Sequence, residues 1–385
     1  LRGTAGDNVL IGNQGNDVLE GRGGNDQLFG GTGNDTLRPG SGGDIVDGAE
    51  GIDLISFADL ATAVNVDLAL ITPQFIGAGS GTKTITNVEN LSGGSNNDTL
   101  RGTTADNVFF GNDGNDFIDA REGNDTLNGQ NGNDNLRPGL GDDVVDGGND
   151  LDTVGYVGLV NGVTVDLAIN VAQNTGGAGL DRIVNVENVS GGEGNDVLRG
   201  TAGANVIFGN GGADRIEGRG GIDTLTGGGA ADTFVYRSLA DASAAGPLET
   251  INDFVSGVDK IDLGAFDWDT ATAGLQVFSF VSGAFGAAGQ VRFQAGQLQF
   301  NTDANGATFE MLIALPGVAS MTAADVLTAP PPAPALGLAG SAAAAVGVSQ
   351  AGHLDSADEA GMPAQRWLVD TIQPQEVTVM GGYLL

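Results

Sequence analysis

Aspartate recurs at nine-residue intervals in three parts of the chain, each time after a glycine-rich run and two residues before an aliphatic side chain or Phe. One such unit is Gly30–Arg38, which reads Gly-Gly-Thr-Gly-Asn-Asp-Thr-Leu-Arg. Glycines at positions one, two and four allow positive φ, so the first six residues can turn tightly with their carbonyl groups aimed inward. Asp35, at position six, adds a hard carboxylate oxygen. Such oxygens suit Ca²⁺, which takes about six to eight of them, better than Mg²⁺, which keeps its waters.

Eighteen such units follow one another in three gapless blocks. Fifteen of them carry Asp at position six, and these side chains are named here the repeat aspartates. Each repeat aspartate is a predicted Ca²⁺ ligand, and together the units predict multiple bound ions. The repeat aspartates are Asp17, Asp26, Asp35, Asp44, Asp53, Asp98, Asp116, Asp125, Asp134, Asp143, Asp152, Asp196, Asp214, Asp223 and Asp232.

Departures from the repeat modify this prediction. Position six is asparagine in the three other units, at Asn8, Asn107 and Asn205. Because an amide is a weaker ligand than a carboxylate, we expect these coils to hold calcium weakly or not at all. Pro39 and Ala120 replace the opening Gly, which is expected to weaken neighbouring turns without abolishing the sites. Ile52 and Ile222 at position five are expected to be tolerated, on the interpretation that this position supplies only backbone.

The last three residues of each unit form a minimal strand with one inward apolar side chain. Two units make one coil, so units two apart in sequence stack on the same edge and hold metal between their turns. The blocks cover residues 1–56, 93–155 and 191–235 and recur with a longer period of about 98 residues, since the Leu-Arg-Gly-Thr at Leu1 returns at Leu100. The sequence therefore predicts an all-β fold of tandem right-handed parallel β-rolls, a β-solenoid with Ca²⁺ in the turns.

Two spacers, residues 57–92 and 156–190, lose the nine-residue register. Alternation with period two predicts a first strand in each spacer, and a second strand is expected to lead back into the roll. The predicted strands are Val64–Leu68, Val163–Leu167, Thr84–Val88 and Arg182–Val186. We expect the spacers to cap one roll and start the next. Binding of a carbohydrate or another surface partner on the spacer loops is the alternative.

The pattern G-G-x-G-x-D-x-U-x resembles that of the RTX family of calcium-binding secreted proteins. The resemblance covers the three blocks and is made specific by its repetition. It implies a parallel β-roll with Ca²⁺ between turns that stays disordered until it meets extracellular calcium. It also implies export from a bacterial cell by a type I secretion machine that reads an uncleaved C-terminal signal.

The nine-residue pattern ends with the unit that contains Asp232. Thr233–Tyr236, Glu249–Phe254 and Asp259–Leu263 resemble the C-terminal domain of serralysin-type secreted proteases, a module that other RTX proteins share. Residues 236–328 are therefore expected to form a β-rich region that caps the roll. Further strands are predicted around Val291–Phe293, Leu298–Phe300 and Phe309–Leu312, with a hairpin turn at Asn305-Gly306 that also accounts for Asp303. Residues 329–385 are predicted to be a Pro/Ala linker, Pro330–Pro334, and a tail that carries a type I secretion signal.

Composition excludes several functions. A formal net charge of −34 argues against nucleic acid or an anionic membrane as a partner. The longest small-apolar run, Leu336–Val348, is too short for a membrane span, and without Cys there are no thiolate metal sites. His353 is the only histidine, so a His-Glu-x-x-His zinc site is impossible, and no Gly-x-Ser-x-Gly motif occurs.

The chain is therefore expected not to be an enzyme, and its predicted partners are calcium ions and the type I secretion machinery. Two alternatives stay open: a repeat spacer of an adhesin or surface-layer protein, and the non-catalytic C-terminal part of a secreted hydrolase such as a serralysin-like metalloprotease. Ice binding is disfavoured because position three of the units lacks a regular column of Thr.

Overall fold

The computed structural model describes residues 1–242, 247–268, 275, 277–303 and 309–328. Within them all regular structure is β apart from two short 3-10 turns, so the predicted all-β class is confirmed. No helix of this described part is long and apolar enough to cross a membrane. The Asn305-Gly306 turn and everything predicted for residues 329–385 lie outside the described residues.

The chain order of elements is a succession of short strands, most of them three or six residues long. The strands of the first block and the first spacer are β1 Val9–Gln14, β2 Val18–Glu20, β3 Gln27–Thr32, β4 Thr36–Arg38, β5 Asp44–Glu50, β6 Leu54–Ser56, β7 Asn65–Asp67, β8 Gln74–Gly77, β9 Gly81–Thr86 and β10 Asn90–Ser92. Those of the second block and spacer are β11 Thr99–Arg101, β12 Val108–Asp113, β13 Phe117–Asp119, β14 Thr126–Asn131, β15 Asn135–Arg137, β16 Val144–Asn149, β17 Thr153–Gly155, β18 Thr164–Asp166, β19 Gln173–Asn174, β20 Leu180–Val184 and β21 Asn188–Ser190. The remaining strands are β22 Val197–Arg199, β23 Val206–Asn210, β24 Arg215–Glu217, β25 Thr224–Gly228, β26 Thr233–Val235, β27 Glu249–Ile251, β28 Lys260–Asp262, β29 Ser279–Phe280, β30 Gln290–Gln294, β31 Gln297–Asn301, β32 Met311–Ala314 and β33 Val326–Leu327, with 3-10 turns at Leu239–Asp241 and Ala323–Asp325.

Strands from units two apart pair in parallel, as the nine-residue repeat predicts. In the β1–β3 pair Val9 lies opposite Gln27, and in the β12–β14 pair Val108 lies opposite Thr126. Each step is two nonapeptides, so one coil contributes one strand to each of two facing sheets. The apolar side chain at position eight points between the sheets, and all of these side chains from Leu19 onward are buried. This single apolar residue per unit supplies the core of the roll.

The sheets continue across the borders of the predicted blocks. In the nine-stranded sheet β10, from the first spacer, pairs with β6 of the first block and with β12 of the second. On the opposite face, β9 pairs with β5 near the end of the first block's other sheet. A new sheet begins there with β7, which pairs with β11. The second spacer repeats the arrangement with β20, β21 and β18. Each spacer thus ends one face of the roll and begins the next, while the other face runs on.

The last strands change the direction of pairing. In the thirteen-stranded sheet β27 pairs in parallel with β32, after which β32, β31 and β30 pair antiparallel. An aromatic cluster of Phe266, Phe278 and Phe300 packs beside them, with ring centroids 5.2–6.3 Å apart. These side chains are buried, so the end of the roll is covered by an apolar layer that the nonapeptides themselves do not provide.

Candidate metal centre

The repeat aspartates form rows along the two edges of the roll. The backbone N–H of Asp116 donates to Oδ1 of Asp134 at 2.7 Å, and that of Asp134 donates to Oδ1 of Asp152 at 2.8 Å. On the other edge Asp125 donates in the same way to Asp143. Along each row, Oδ1 of one repeat aspartate therefore accepts the N–H of the residue one coil earlier, which fixes the orientation of the carboxylate.

The second oxygen, Oδ2, is left without a hydrogen-bond donor in most of these side chains. Burial of an anionic oxygen without a partner is costly, so this arrangement requires a cation or a proton beside it. The rows therefore fit Ca²⁺ by the chemistry of their free oxygens. The residues with a buried Oδ2 that accepts no hydrogen bond are Asp17, Asp26, Asp35, Asp44, Asp53, Asp116, Asp125, Asp134, Asp143, Asp152, Asp214 and Asp223, and of these Asp44 alone has an ammonium group, that of Lys83, within 4 Å of this oxygen among the described residues.

Burial also disfavours the charged form of these carboxyl groups. It raises the pKa of Asp116 to about 7, with neighbouring Asp98 and Asp134 contributing in the same direction. Burial is also the largest cause elsewhere in the rows. The pKa is raised to about 7 in Asp125, Asp143, Asp152, Asp214 and Asp223, to about 6 in Asp98, Asp134 and Asp232, and also upward in Asp26, Asp53 and Asp196.

Side chains alone do not complete a metal site. Among the described residues no three Asp, Glu, His or Cys side chains converge closely enough to hold an ion. The remaining ligands of a Ca²⁺ ion must therefore be backbone carbonyls, as the glycine-rich turns predict. The geometry of Gly30 supports this: a Cβ built there would lie 2.3 Å from Asp35 Oδ2 and 2.7 Å from the carbonyl oxygen of Gly48. The carboxylate and the next coil's carbonyl approach the same point.

The role predicted for the glycines is wrong at position one. Positive φ occurs at positions two and four, for example 115° at Gly31 and 117° at Gly33, whereas Gly30 has no positive φ. Position one favours glycine because a Cβ there would force the carboxylate or the carbonyl to shift, not because of its backbone conformation. Ala120 places a methyl group there, and the Asp125 carboxylate of its unit is still buried.

Position five contributes a side-chain oxygen as well as its backbone. Asn16 Oδ1 accepts from the N–H of Asn34 at 3.0 Å, and Asn34 Oδ1 accepts from the N–H of Ile52 at 3.1 Å. Asn115 and Asn133 continue this second row in the next block. The interpretation that position five supplies only backbone is therefore wrong. Ile52 is compatible because it stands last in its row, where its N–H is still satisfied.

The rows whose first residue is asparagine start with contacts that the repeat aspartates do not make. Asn107 Oδ1 accepts from Thr103 N at 2.8 Å, and its Nδ2 donates to the carbonyl of Glu89 at 2.6 Å. Arg121 binds the Asp67 carboxylate through two hydrogen bonds of 2.9 and 2.7 Å and also contacts the Gly102 carbonyl. A guanidinium therefore lies beside the opening carbonyl of the Asn107 unit. That this coil holds little calcium stays a prediction, which the contact favours.

The third block repeats this arrangement. Asn205 bonds to Thr201 and Glu187, and Arg219 binds Asp166 at 2.7 and 2.6 Å. The recurrence in two blocks shows that the arginine belongs to the long repeat rather than to one loop.

Acidic side chains outside the repeat extend the rows at their far ends. Glu89 Oε2 accepts from the N–H of Asp53 at 2.9 Å, and Glu187 Oε2 accepts from Asp152 at 3.0 Å. Sequence reasoning did not identify either glutamate, although both stand in the Asn-Val-Glu-Asn segment that recurs in the spacers. Beyond the third block, Glu249 accepts from the Tyr236 hydroxyl at 2.5 Å, and its burial raises its pKa to about 9.

The comparisons with known proteins agree with this geometry. The sequence profile described as peptidase M10 serralysin C terminal matches residues 123–328, more than half of the chain. The chain belongs to this family. The RTX calcium-binding nonapeptide repeat profile matches residues 2–37, 28–55 and 92–127. The predicted resemblance to both families is therefore confirmed, and both are non-catalytic modules typical of secreted RTX-type proteins.

The serralysin C-terminal match begins well before residue 236, so it includes nonapeptide coils of the second and third blocks. One similar solved structure is the solution structure of the AlgE6R3 subunit from the Azotobacter vinelandii mannuronan C5-epimerase, with 24% identity and a TM-score of 0.28. The match covers 47% of this chain and 91% of that one. No curated protein matches the chain.

Proposed function

We propose that this chain is the calcium-binding RTX module of an extracellular protein exported by type I secretion, and that it folds when it binds Ca²⁺ outside the cell. The observation that carries the proposal is the row of buried Oδ2 atoms without partners. In this proposal the fifteen repeat aspartates are the side-chain ligands, and carbonyls of the glycine-rich turns complete each site. Bound calcium supplies the positive charge that the rows lack.

The chain's own residues explain why folding would depend on the ion. Without a cation, adjacent carboxylates such as those of Asp116 and Asp134 are stacked in a buried row, which opposes folding. The formal net charge of −34 adds repulsion along the whole chain. A ligand that binds only the folded state stabilises it in proportion to RT ln(1 + [L]/Kd), so calcium at extracellular concentrations would shift the equilibrium towards the roll.

The test is a calcium titration followed by far-UV circular dichroism on the full chain and two variants. In chelator we expect loss of the β signal, and its return on addition of millimolar-range CaCl₂. Asp143→Asn removes a proposed ligand, so its titration midpoint should rise severalfold. Asp142→Asn is the matched control: it removes the same charge one residue earlier, in the position-five row, where other units carry Asn.

The control variant should titrate like the wild type. A β signal that is unchanged by chelator contradicts the proposal, and so does an equal shift in both variants, because general charge would then explain the response.

We also propose that the chain is not itself an enzyme. The lone His353 and the absence of a Gly-x-Ser-x-Gly motif in the sequence support this. Full-length chain loaded with calcium should hydrolyse neither casein nor a p-nitrophenyl ester above the buffer rate. Turnover that copurifies with the chain and is lost with a point substitution would refute it.

A second candidate function is a rigid spacer in an adhesin or surface-layer protein. One sheet runs without a break through each spacer, and this favours it, because a ladder that continues on one face resists bending between long units. Sequencing the gene on the 5′ side of the Leu1 codon tests the two: further long units there favour the spacer, and a hydrolase domain favours the export module.

A further inference from the structure

A lysine ammonium group lies at the end of one aspartate row. Lys83 Nζ is 2.6 Å from Asp44 Oδ2, and neither side chain is exposed. The same Nζ donates to the carbonyl oxygens of Gly42, at 2.8 Å, and of Ser80. One carboxylate and two carbonyl oxygens therefore surround the ammonium. These are the ligand types that the glycine-rich turns offer to Ca²⁺ elsewhere.

Lys83 stands where the row would present its next side chain. Strand β9 pairs with β5 in a register that places Lys83 opposite Asp44. The corresponding residue of the second spacer is Asp181, since each lies four residues before the recurring Asn-Val-Glu-Asn segment. Asp181 Oδ1 accepts from the N–H of Asp143 at 3.2 Å. The two blocks thus end the same row with opposite charges.

The free oxygen of the repeat aspartate differs accordingly. Both oxygens are buried and neither accepts a hydrogen bond, but Asp44 Oδ2 lies 2.6 Å from the Lys83 ammonium in an ion pair, whereas no cationic group of the described residues lies within 4 Å of Asp143 Oδ2. The first row therefore ends in the Asp44–Lys83 ion pair, which carries no net charge. The second row ends in the carboxylates of Asp143 and Asp181, which need a cation.

The residues that surround Asp181 and Lys83 differ in a way that matches the charge of each. The Tyr156 hydroxyl and the Thr175 hydroxyl donate to Asp181 Oδ2 at 2.8 and 2.9 Å. In the first repeat the corresponding residues are Phe57, four after the last repeat aspartate, and Ile76, two after a shared glutamine. Both are buried and neither can donate a hydrogen bond. Hydroxyl donors accompany the carboxylate, and apolar groups accompany the ammonium, so each end is built for its own charge.

We propose that the Lys83 ammonium is a built-in replacement for one calcium ion at Asp44, whereas the corresponding end at Asp143 takes a calcium ion. This inference rests on the proposed calcium-binding function. It makes the contact between the first block and the first spacer independent of calcium at that point.

Native mass spectrometry of the full chain in CaCl₂ tests this by counting bound ions. Lys83→Ala frees Asp44 Oδ2 and the two carbonyls, so the variant should bind one more calcium ion than the wild type. Lys260→Ala is the matched control: it removes the chain's only other lysine, which is partly exposed, and should leave the count unchanged. An unchanged count in Lys83→Ala overturns the proposal. So does a variant that does not fold at any calcium concentration, because calcium would then not replace the ammonium.

The reverse change gives an independent readout in the second block. A triple variant, Tyr156→Phe, Thr175→Ile and Asp181→Lys, installs the first block's residues and should bind one ion fewer. An undiminished count contradicts the proposal. If the wild type binds no calcium at all, the proposed function fails instead, so the two failures are distinguishable.

Discussion

Arg121→Met removes the guanidinium that joins the first spacer to the second block. Its two hydrogen bonds to Asp67 span 54 positions of sequence and measure 2.9 and 2.7 Å. A hydrogen bond to a charged group contributes about 1.5–3 kcal/mol, and loss of one partner of a buried pair costs about 3–5 kcal/mol. Because 30% of the Arg121 side chain and 16% of the Asp67 side chain are exposed, solvent screening reduces these values. We expect a cost of about 2 kcal/mol.

Hydrogen exchange is the suitable assay, because a stacked repeat need not unfold in a single step. Two kcal/mol corresponds to about thirtyfold faster exchange of the amides that open with the spacer strand. The peptide to follow contains β7, whose neighbour Leu68 donates its N–H to the Arg101 carbonyl at 3.0 Å. Exchange is measured in saturating calcium, so that metal loss does not contribute.

Arg22→Met is the matched control. Arg22 occupies the equivalent position of the first block with a similar positive φ, 77° against 81°. Within the part of the chain that the structure describes, its guanidinium pairs only with Glu20, and half of the side chain is exposed. Loss of an exposed ion pair costs about 0.2–1 kcal/mol, so protection in the first block should change only a few-fold. If exchange around β7 in Arg121→Met stays within twofold of the wild type, the bidentate contact does not hold the spacer and the reasoning is wrong.

Two further substitutions test the turn and the core. Gly30→Ala should raise the midpoint of the calcium titration, because its Cβ would lie 2.3 Å from Asp35 Oδ2. Gly15→Ala is the control: Gly15 has φ 103° and open space around it, so the variant should cost about 1 kcal/mol of stability and leave the midpoint unchanged. Equal midpoints in a calcium titration would contradict this explanation. Leu127→Ala should lower the local opening free energy of the calcium-loaded roll around β14, measured by hydrogen exchange, by about 2–5 kcal/mol, and Leu151→Ala, which is exposed, should lower it by less than about 0.5 kcal/mol. A small effect at Leu127 would show that the single inward side chain does not carry the core.

The nine-residue period was sufficient to predict the repetitive part of the fold. Because side chains at position eight, such as Leu127, recur at a fixed interval, they identify both the strand and its buried face. The pairing of Val108 with Thr126 follows from two units per coil. The second row, at position five, was also readable, since Asn115 and Asn133 recur as regularly as the aspartates. It was missed because asparagine in a turn already has a local explanation.

Contacts that involve the spacers could not be read in the same way. Arg121 and Asp67 are brought together by the loss of register, and no period relates their positions. Lys83 likewise meets Asp44 only because β9 replaces a nonapeptide strand in the sheet. Counting nine-residue units does not identify the neighbours of a spacer residue, so its partner depends on how the intervening chain folds.

The ends of the aspartate rows show which groups the chain places where a row of carboxylates stops. An internal coil has a neighbour on each side to share a cation, whereas a terminal coil has a neighbour on one side only and would leave a charged group half coordinated. Where the first spacer joins the second block, the chain places an uncharged amide, Asn107, next to Glu89, and the Arg121 guanidinium contacts the opening carbonyl of the Asn107 unit. At one far end it places the Lys83 ammonium against Asp44. Given the proposed calcium function, the first block ends this row with its own cation in place of calcium, whereas the second block sets Asp181 beside Asp143 and keeps a divalent ion at the corresponding end.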